Sequence, residues 1–226
     1  LFNVGVALGV AALISPLKPP ESLISKEIPA LLLVTFVTGA LLFDLFLGRF
    51  DAIVLIFIAG FLGYKIFRKQ IGAGTLVAVG DSNLARVNSA KAATYLIAGL
   101  VLLLLSAEYL VAAAISIAES LDVSEAIIGL TIVALGTSLP ELAASVTCVL
   151  KGHHDLAIGN IIGSNILNLL AVLPLPALLS PGLIQSPLLF RDYAGVLLLT
   201  CLLAYFCFDC IKKQKMIGRL HGIAFL

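Results

Sequence analysis

Apolar residues run through this chain in blocks of about twenty, the length an α-helix needs to cross the hydrocarbon of a bilayer. Seven blocks are predicted as membrane helices: 1–14, 28–47, 51–67, 94–118, 126–150, 156–179 and 190–210. Leu220–Leu226 reads as the opening of an eighth. One long polar connection, Lys65 to Ala93, follows the third block, and its Gly72, Gly74, Gly80, Asp81 and Asn83 predict a loop. The organisation expected is all-α: three spans in 1–67, a loop at 68–93, and a second half at 94–226.

Composition agrees with the pattern. The 226 residues are 61% hydrophobic and 12% charged, about half the charged share of a soluble domain, which makes this an integral membrane protein. The net charge of +1 says little, but the placement of charge says more. Connections after the first, third, fifth and seventh blocks carry twelve of the fourteen Lys and Arg residues; the others hold only Arg49 and Arg191. Positive residues stay on the cytoplasmic side, so the basic connections are expected there. Cys148, Cys201, Cys207 and Cys210 lie in or at the ends of apolar blocks and read as small packing residues.

The chain also repeats itself. At an offset of 165, Leu1–Asp44 lies over Ile166–Asp209 without a gap. Asn3 meets Asn168, Ser15-Pro16 meets Ser180-Pro181, Thr35 meets Thr200, and Phe43-Asp44 meets Phe208-Asp209. Lys26-Glu27 falls on Arg191-Asp192, which keeps the charges. The copies start five crossings apart, and an odd number of crossings turns the second copy upside down. Inverted repeats belong to secondary transporters, which bind substrate near the midplane where the repeats meet. The same offset predicts, ahead of Leu1, a first copy of Ala126–Asn165, so the chain is expected to be a piece of a longer one.

The chemistry concentrates in two neighbouring blocks. Gly136-Thr-Ser-Leu-Pro-Glu141 interrupts the fifth. An acid near the middle of a span costs about 2.5–3.5 kcal/mol even on the lenient insertion scale, and Pro140 removes a backbone donor beside it. Polar backbone at that depth survives only against protein or a polar cavity. Thr137 and Glu141 share a helix face, with Ser138 beside them. In the sixth block Asn160, Ser164 and Asn168 recur every fourth residue as a polar stripe, with Asn165 adjoining it and Gly159 and Gly163 permitting close helix approach. Carboxylate, hydroxyl, amide and freed carbonyl oxygens are hard donors that suit Ca²⁺ and Na⁺. Glu108, in the fourth block, fits an ion path or a hydrated outer interface equally well. A hydrolase built on Glu141 and Ser138 is a rival reading, but the spans hold no histidine or paired acid to complete it.

At these motifs the chain resembles the second α-repeat of the cation/calcium exchanger superfamily, above all the bacterial inner-membrane sodium/calcium antiporters. The resemblance implies ten helices in two inverted halves, of which this chain would be the third to the ninth and the start of the tenth. It implies ion ligands at Thr137, Ser138, Glu141 and Ser164, with the Ala134 carbonyl nearby, the α-repeat at 126–180, and Asn3 from the first half. Many sodium-coupled members carry an acid where Asn168 stands, and proton-coupled members often carry Asn, so the counter-ion stays open between Na⁺ and H⁺. The expectation is an antiporter of the bacterial inner membrane exchanging Ca²⁺ for Na⁺ or H⁺, and not an enzyme. Its partners would be those ions and the surrounding lipid, with no nucleic acid and no cofactor.

Overall fold

The computed structural model describes residues 1–72 and 89–226. The middle of the polar connection, 73–88 with Gly74, Gly80, Asp81 and Asn83, lies outside the described residues. Its two ends are helical, contrary to the expected loop. Helix α3 (Arg49–Gly72) runs on past residue 67, and α4 (Ser89–Ser120) begins before residue 94. Lys, Gln and Ala at these ends are good helix formers, so propensity continues the helix beyond the apolar block.

The remaining helices follow the predicted blocks. They are α1 (Asn3–Ile14), α2 (Leu23–Asp44), α5 (125–136), α6 (Leu139–Leu150), α7 (His154–Leu179), α8 (Leu188–Lys212) and α9 (Arg219–Phe225). Among the described residues, five helical stretches are long and apolar enough to cross a membrane: Leu23–Asp44, Ala90–Ser120, Thr131–Leu150 (interrupted between α5 and α6), His154–Leu179 and Leu188–Lys212. The first predicted span, α1, is apolar but shorter. Large apolar side chains such as Phe36, Phe57, Leu102 and Leu198 are exposed, as a lipid-facing surface requires.

The described chain forms two compact units. One comprises Leu1–Gly63 and Glu141–Leu226; the other is Tyr64–Pro140. In the larger unit, α2 packs against α7 and α8, and α1 packs against α7 and α9. Its core includes the fully buried Leu8, Leu31, Ile158, Ile161, Ile162 and Leu203. Close approach of α1 and α9 depends on two glycines: a Cβ at Gly222 would lie 2.9 Å from the Gly9 carbonyl oxygen, and one at Gly9 would lie 3.0 Å from that of Gly222. In the smaller unit, α4 packs along α5, and a Cβ at Gly136 would overlap Val111 on α4.

Both repeat copies fall in the larger unit, and their backbones repeat in detail. A π-turn at Asn3–Ala7 recurs at Asn168–Val172, and one at Leu23–Glu27 recurs at Leu188–Tyr193. Two of these wide turns precede a proline, Pro29 or Pro174. A proline ring crowds the carbonyl four residues back, and shifting the ladder to i→i−5, as in Leu173 N–H to the Asn168 carbonyl at 2.9 Å, opens the turn ahead of it. Strand pairing repeats too. Strand β1 (Phe46–Leu47) pairs antiparallel with β2 (Gly182–Leu183) through Leu47 and Gly182, while Leu17 bridges Ile217. Gly182 is the counterpart of Leu17 at the repeat offset.

Candidate ion-binding site

The motif in the fifth span breaks the helix as its sequence predicts. Helix α5 ends at Gly136, Thr137 and Ser138 form a turn, and α6 starts at Leu139 with Glu141 in its first turn. A carboxylate there is favoured by the positive end of the helix dipole. Upstream of the break, α5 contains a further π-turn at Gly129–Val133, a feature that recurs at functional sites. Thr137 is exposed and Ser138 half-buried, both in the smaller unit. The Thr137 hydroxyl donates to the Ala134 carbonyl at 3.1 Å, leaving its own lone pairs free.

Glu141 belongs to the larger unit, together with Asn3, Asn160, Ser164, Asn165 and Asn168. Asn160 Nδ2 donates to the Glu141 carbonyl at 3.2 Å and to Ser145 Oγ at 3.0 Å. This clamps the first turns of α6 to α7. Ser145 is completely buried and did not stand out in the sequence; its spacing of four from Glu141 was the available signal. Asn3 Nδ2 donates to Ser164 Oγ at 3.0 Å, and Ser164 Oγ donates to the Ile161 carbonyl at 3.0 Å. Asn165 Nδ2 donates to the same carbonyl at 2.8 Å.

One pattern runs through these bonds. In each of these bonds a side-chain N–H or O–H donates to a protein acceptor, while some of the side-chain oxygens accept nothing. Asn3 Oδ1 and Glu141 Oε2 are both buried, and neither has a hydrogen-bond partner. An unsatisfied buried polar atom costs about 1–3 kcal/mol, and more when charged. A cation supplies what such oxygens lack; another donor-poor side chain does not. Among the described residues no three His, Cys, Asp or Glu side chains gather as a metal cluster, so Glu141 stands as an acid among neutral oxygens.

The sixth-span stripe divides at residue 168. Asn160 and Ser164 lie on the regular part of α7 and make the bonds above. Asn168 opens a π-turn, is exposed, and lines a cavity with Asn165, Thr35 and Thr200. The wider turn changes the angular step per residue, so spacing of four no longer holds one face. Glu108 is exposed on α4, and Cys207 and Cys210 are buried as packing residues.

Known proteins resemble this chain in sequence and fold. The family described as sodium/calcium exchanger protein matches residues 91–226. The inner membrane protein YrbG of Escherichia coli is 36% identical over 229 residues, covering 99% of this chain and 70% of its own length. The putative antiporter CaxA of Alkalimonas amylolytica is 36% identical over 235 residues, covering 100% of this chain and 72% of its own. Among solved structures, the sodium-calcium exchanger NCX_Mj soaked with Na⁺ and Sr²⁺ superimposes with a TM-score of 0.79 at 30% identity, over 100% of this chain and 69% of that one. Helix pattern, interrupted spans and these matches agree: the chain belongs to the sodium/calcium exchanger family, within the cation/calcium exchanger superfamily.

Proposed function

We propose that this chain works, in its full-length protein, as a secondary antiporter that exchanges Ca²⁺ for Na⁺ by alternating access, without covalent chemistry. The observation that carries the reading is that, of the motif and stripe side chains, Glu141 Oε2 and Asn3 Oδ1 are buried oxygens without a hydrogen-bond partner. Glu141 supplies the charge that balances the cation. Asn3 and Ser164 supply neutral oxygens held by their mutual bond, and Asn160 holds the Glu141 backbone in place. Asn165 and Asn168 follow as the polar continuation of α7.

Exchange follows from the charge. An ionised Glu141 with no partner is costly to bury, so the site changes sides loaded with Ca²⁺ or with the counter-ion and resists crossing empty. Vesicles containing the full-length protein should take up Ca²⁺ when loaded with Na⁺ and diluted into choline. Uptake that ignores the Na⁺ gradient would refute sodium coupling.

A second reading keeps the fold and replaces Na⁺ by H⁺, with Glu141 carrying the proton. The neutral Asn168 favours it, because one fewer negative charge lowers the demand for several sodium ions. Ca²⁺ uptake driven by a pH gradient in Na⁺-free vesicles is its signature.

A further inference from the structure

Basic side chains gather where two connections of the larger unit meet. Helix α8 ends at Lys212 and α9 starts at Arg219, and the segment between them is ordered by its own bonds. Lys215 N–H donates to the Cys210 carbonyl at 2.7 Å and Gln214 N–H to that of Ile211 at 3.1 Å. With Gln214 left-handed at φ 51°, this is the turn that commonly closes a helix. Gly218 N–H donates to His221 Nδ1 at 3.1 Å. Leu17 and Ile217 exchange backbone bonds of 2.9 and 2.8 Å. That antiparallel bridge brings the connection after α1, and Lys18 with it, against this one. Both bridge residues are fully buried. Side chains alternate along extended backbone, so Lys18 and Met216 project on the other side.

Charge and apolar surface adjoin there. Lys18, Lys212, Lys215 and Arg219 are exposed, and among the described residues none lies within ion-pair distance of a carboxylate. Lys213 is already matched, by Asp209 at 2.7 Å. The helix dipole accounts for Lys212 at the C-terminal end of α8 but disfavours Arg219 at the start of α9. Nor does the pairing of connections need the charge. Strands β1 and β2 pair in the same way between connections whose basic residues are Arg49 and Arg191, the latter held by Asp192 at 2.7 Å. Beside the unmatched basic groups come exposed apolar side chains, Met216 at 48%, Leu220 at 82% and Ile223 at 61%. Arg219 and Ile223, four apart, share a face of α9. Lys212 closes a stretch long and apolar enough to cross a membrane, which sets the basic groups at headgroup depth. An anionic head followed by apolar chains matches that order of polarity, and a free anion matches only its first half.

We propose that Lys18, Lys215 and Arg219, with Lys212 at the helix end, form a docking surface for the headgroup of an anionic phospholipid whose chains lie along Met216, Leu220 and Ile223. Lys and Arg beside a bilayer attract anionic lipid, and salt screens the attraction. A bound headgroup ties the connection after α1 to the one after α8 from outside, so it stabilises the fold whichever ions the protein exchanges.

The test follows thermal unfolding of the purified full-length protein in detergent as dioctanoyl phosphatidylglycerol, dioctanoyl phosphatidylcholine or inorganic phosphate is added. One variant combines Lys18→Gln, Lys215→Gln and Arg219→Gln. A control combines Lys65→Gln, Lys91→Gln and Lys151→Gln, exposed lysines on other connections. Phosphatidylglycerol should stabilise wild type and control at concentrations within about twofold of each other, and the first variant should need about tenfold more. Phosphatidylcholine and phosphate should do little. Raising NaCl from about 0.1 M to about 1 M cuts the screening length from about 10 Å to about 3 Å and should weaken the wild-type response, an arm that needs no variant to fold. A response to phosphatidylcholine as large as that to phosphatidylglycerol overturns the proposal, and so does one to phosphate, which would mark a free-anion site. Equal losses in both variants overturn it as well, because they show bulk charge alone, as does a wild-type response indifferent to salt.

Discussion

Replacing Glu141 by Gln separates a ligand from a structural group more cleanly than any other single change here. The amide keeps the side chain's size and one acceptor oxygen and removes the charge. No protein hydrogen bond is lost with it: Asn160 bonds the backbone carbonyl of residue 141, and Oε2 has no partner. Ion-free stability should therefore hold or rise, since an unpaired buried charge becomes a cheaper neutral group. Calcium binding should suffer. A charge-assisted contact is worth about 1.5–3 kcal/mol, which at 1.4 kcal/mol per decade is roughly a 10- to 150-fold loss of affinity. At Ca²⁺ of about 100 times the wild-type Kd, binding stabilises the wild type by about 2.7 kcal/mol. A variant weakened about 100-fold gains only about 0.4 kcal/mol under the same conditions. For a chain of this size 1 kcal/mol moves Tm by roughly 2–4 °C on the soluble-domain scale, so the calcium shift should fall from roughly 5–11 °C to roughly 1–2 °C. Thermal unfolding of the full-length protein with and without Ca²⁺ reads both quantities, and vesicle uptake should be abolished in parallel. An unchanged calcium shift would falsify the assignment of Glu141 as ligand. An ion-free stability loss above about 1 kcal/mol would show instead that the carboxylate serves the fold.

Asn168→Asp adds a carboxylate on the stretch of α7 that follows Ser164, where the π-turn begins. Added ligand charge tightens Ca²⁺ sites, so affinity at neutral pH should rise about tenfold. The same Ca²⁺ affinity as wild type would return Asn168 to a packing role. Asn160→Leu removes both bonds to α6 and leaves Ser145 Oγ and the Glu141 carbonyl without that donor, at a cost of about 1–3 kcal/mol. Ca²⁺ affinity should drop with stability, and a stable variant of normal affinity would refute the clamp. Gly222→Ala meets a backbone oxygen at 2.9 Å, which cannot rotate away, so α9 must shift on α1 at about 1–3 kcal/mol; denaturant unfolding at wild-type stability would contradict that packing.

Hydrophobic block length and the helix-breaking motif were enough to predict the membrane class, the positions of the main helices and the interruption at Thr137–Ser138, because each depends on a few consecutive residues. Block length gives the span, and Pro140 beside Glu141 gives the break. The repeat at offset 165 was equally plain in the sequence, while the paired π-turns and the matching contacts of Leu17 and Gly182 appear only in the structure. Three further things needed the tertiary structure. The helical ends of the polar connection depend on helix propensity outlasting hydrophobicity. The division of the α7 stripe depends on an i→i−5 turn that spacing in sequence does not encode. Above all, which atoms lack partners is a property of distant segments meeting: Asn3 spends its amide nitrogen on Ser164, 161 residues away, and so leaves its oxygen bare. Sequence identifies oxygen-bearing side chains, but only packing decides which oxygens are left without a proton donor, and those are the ones a cation can take.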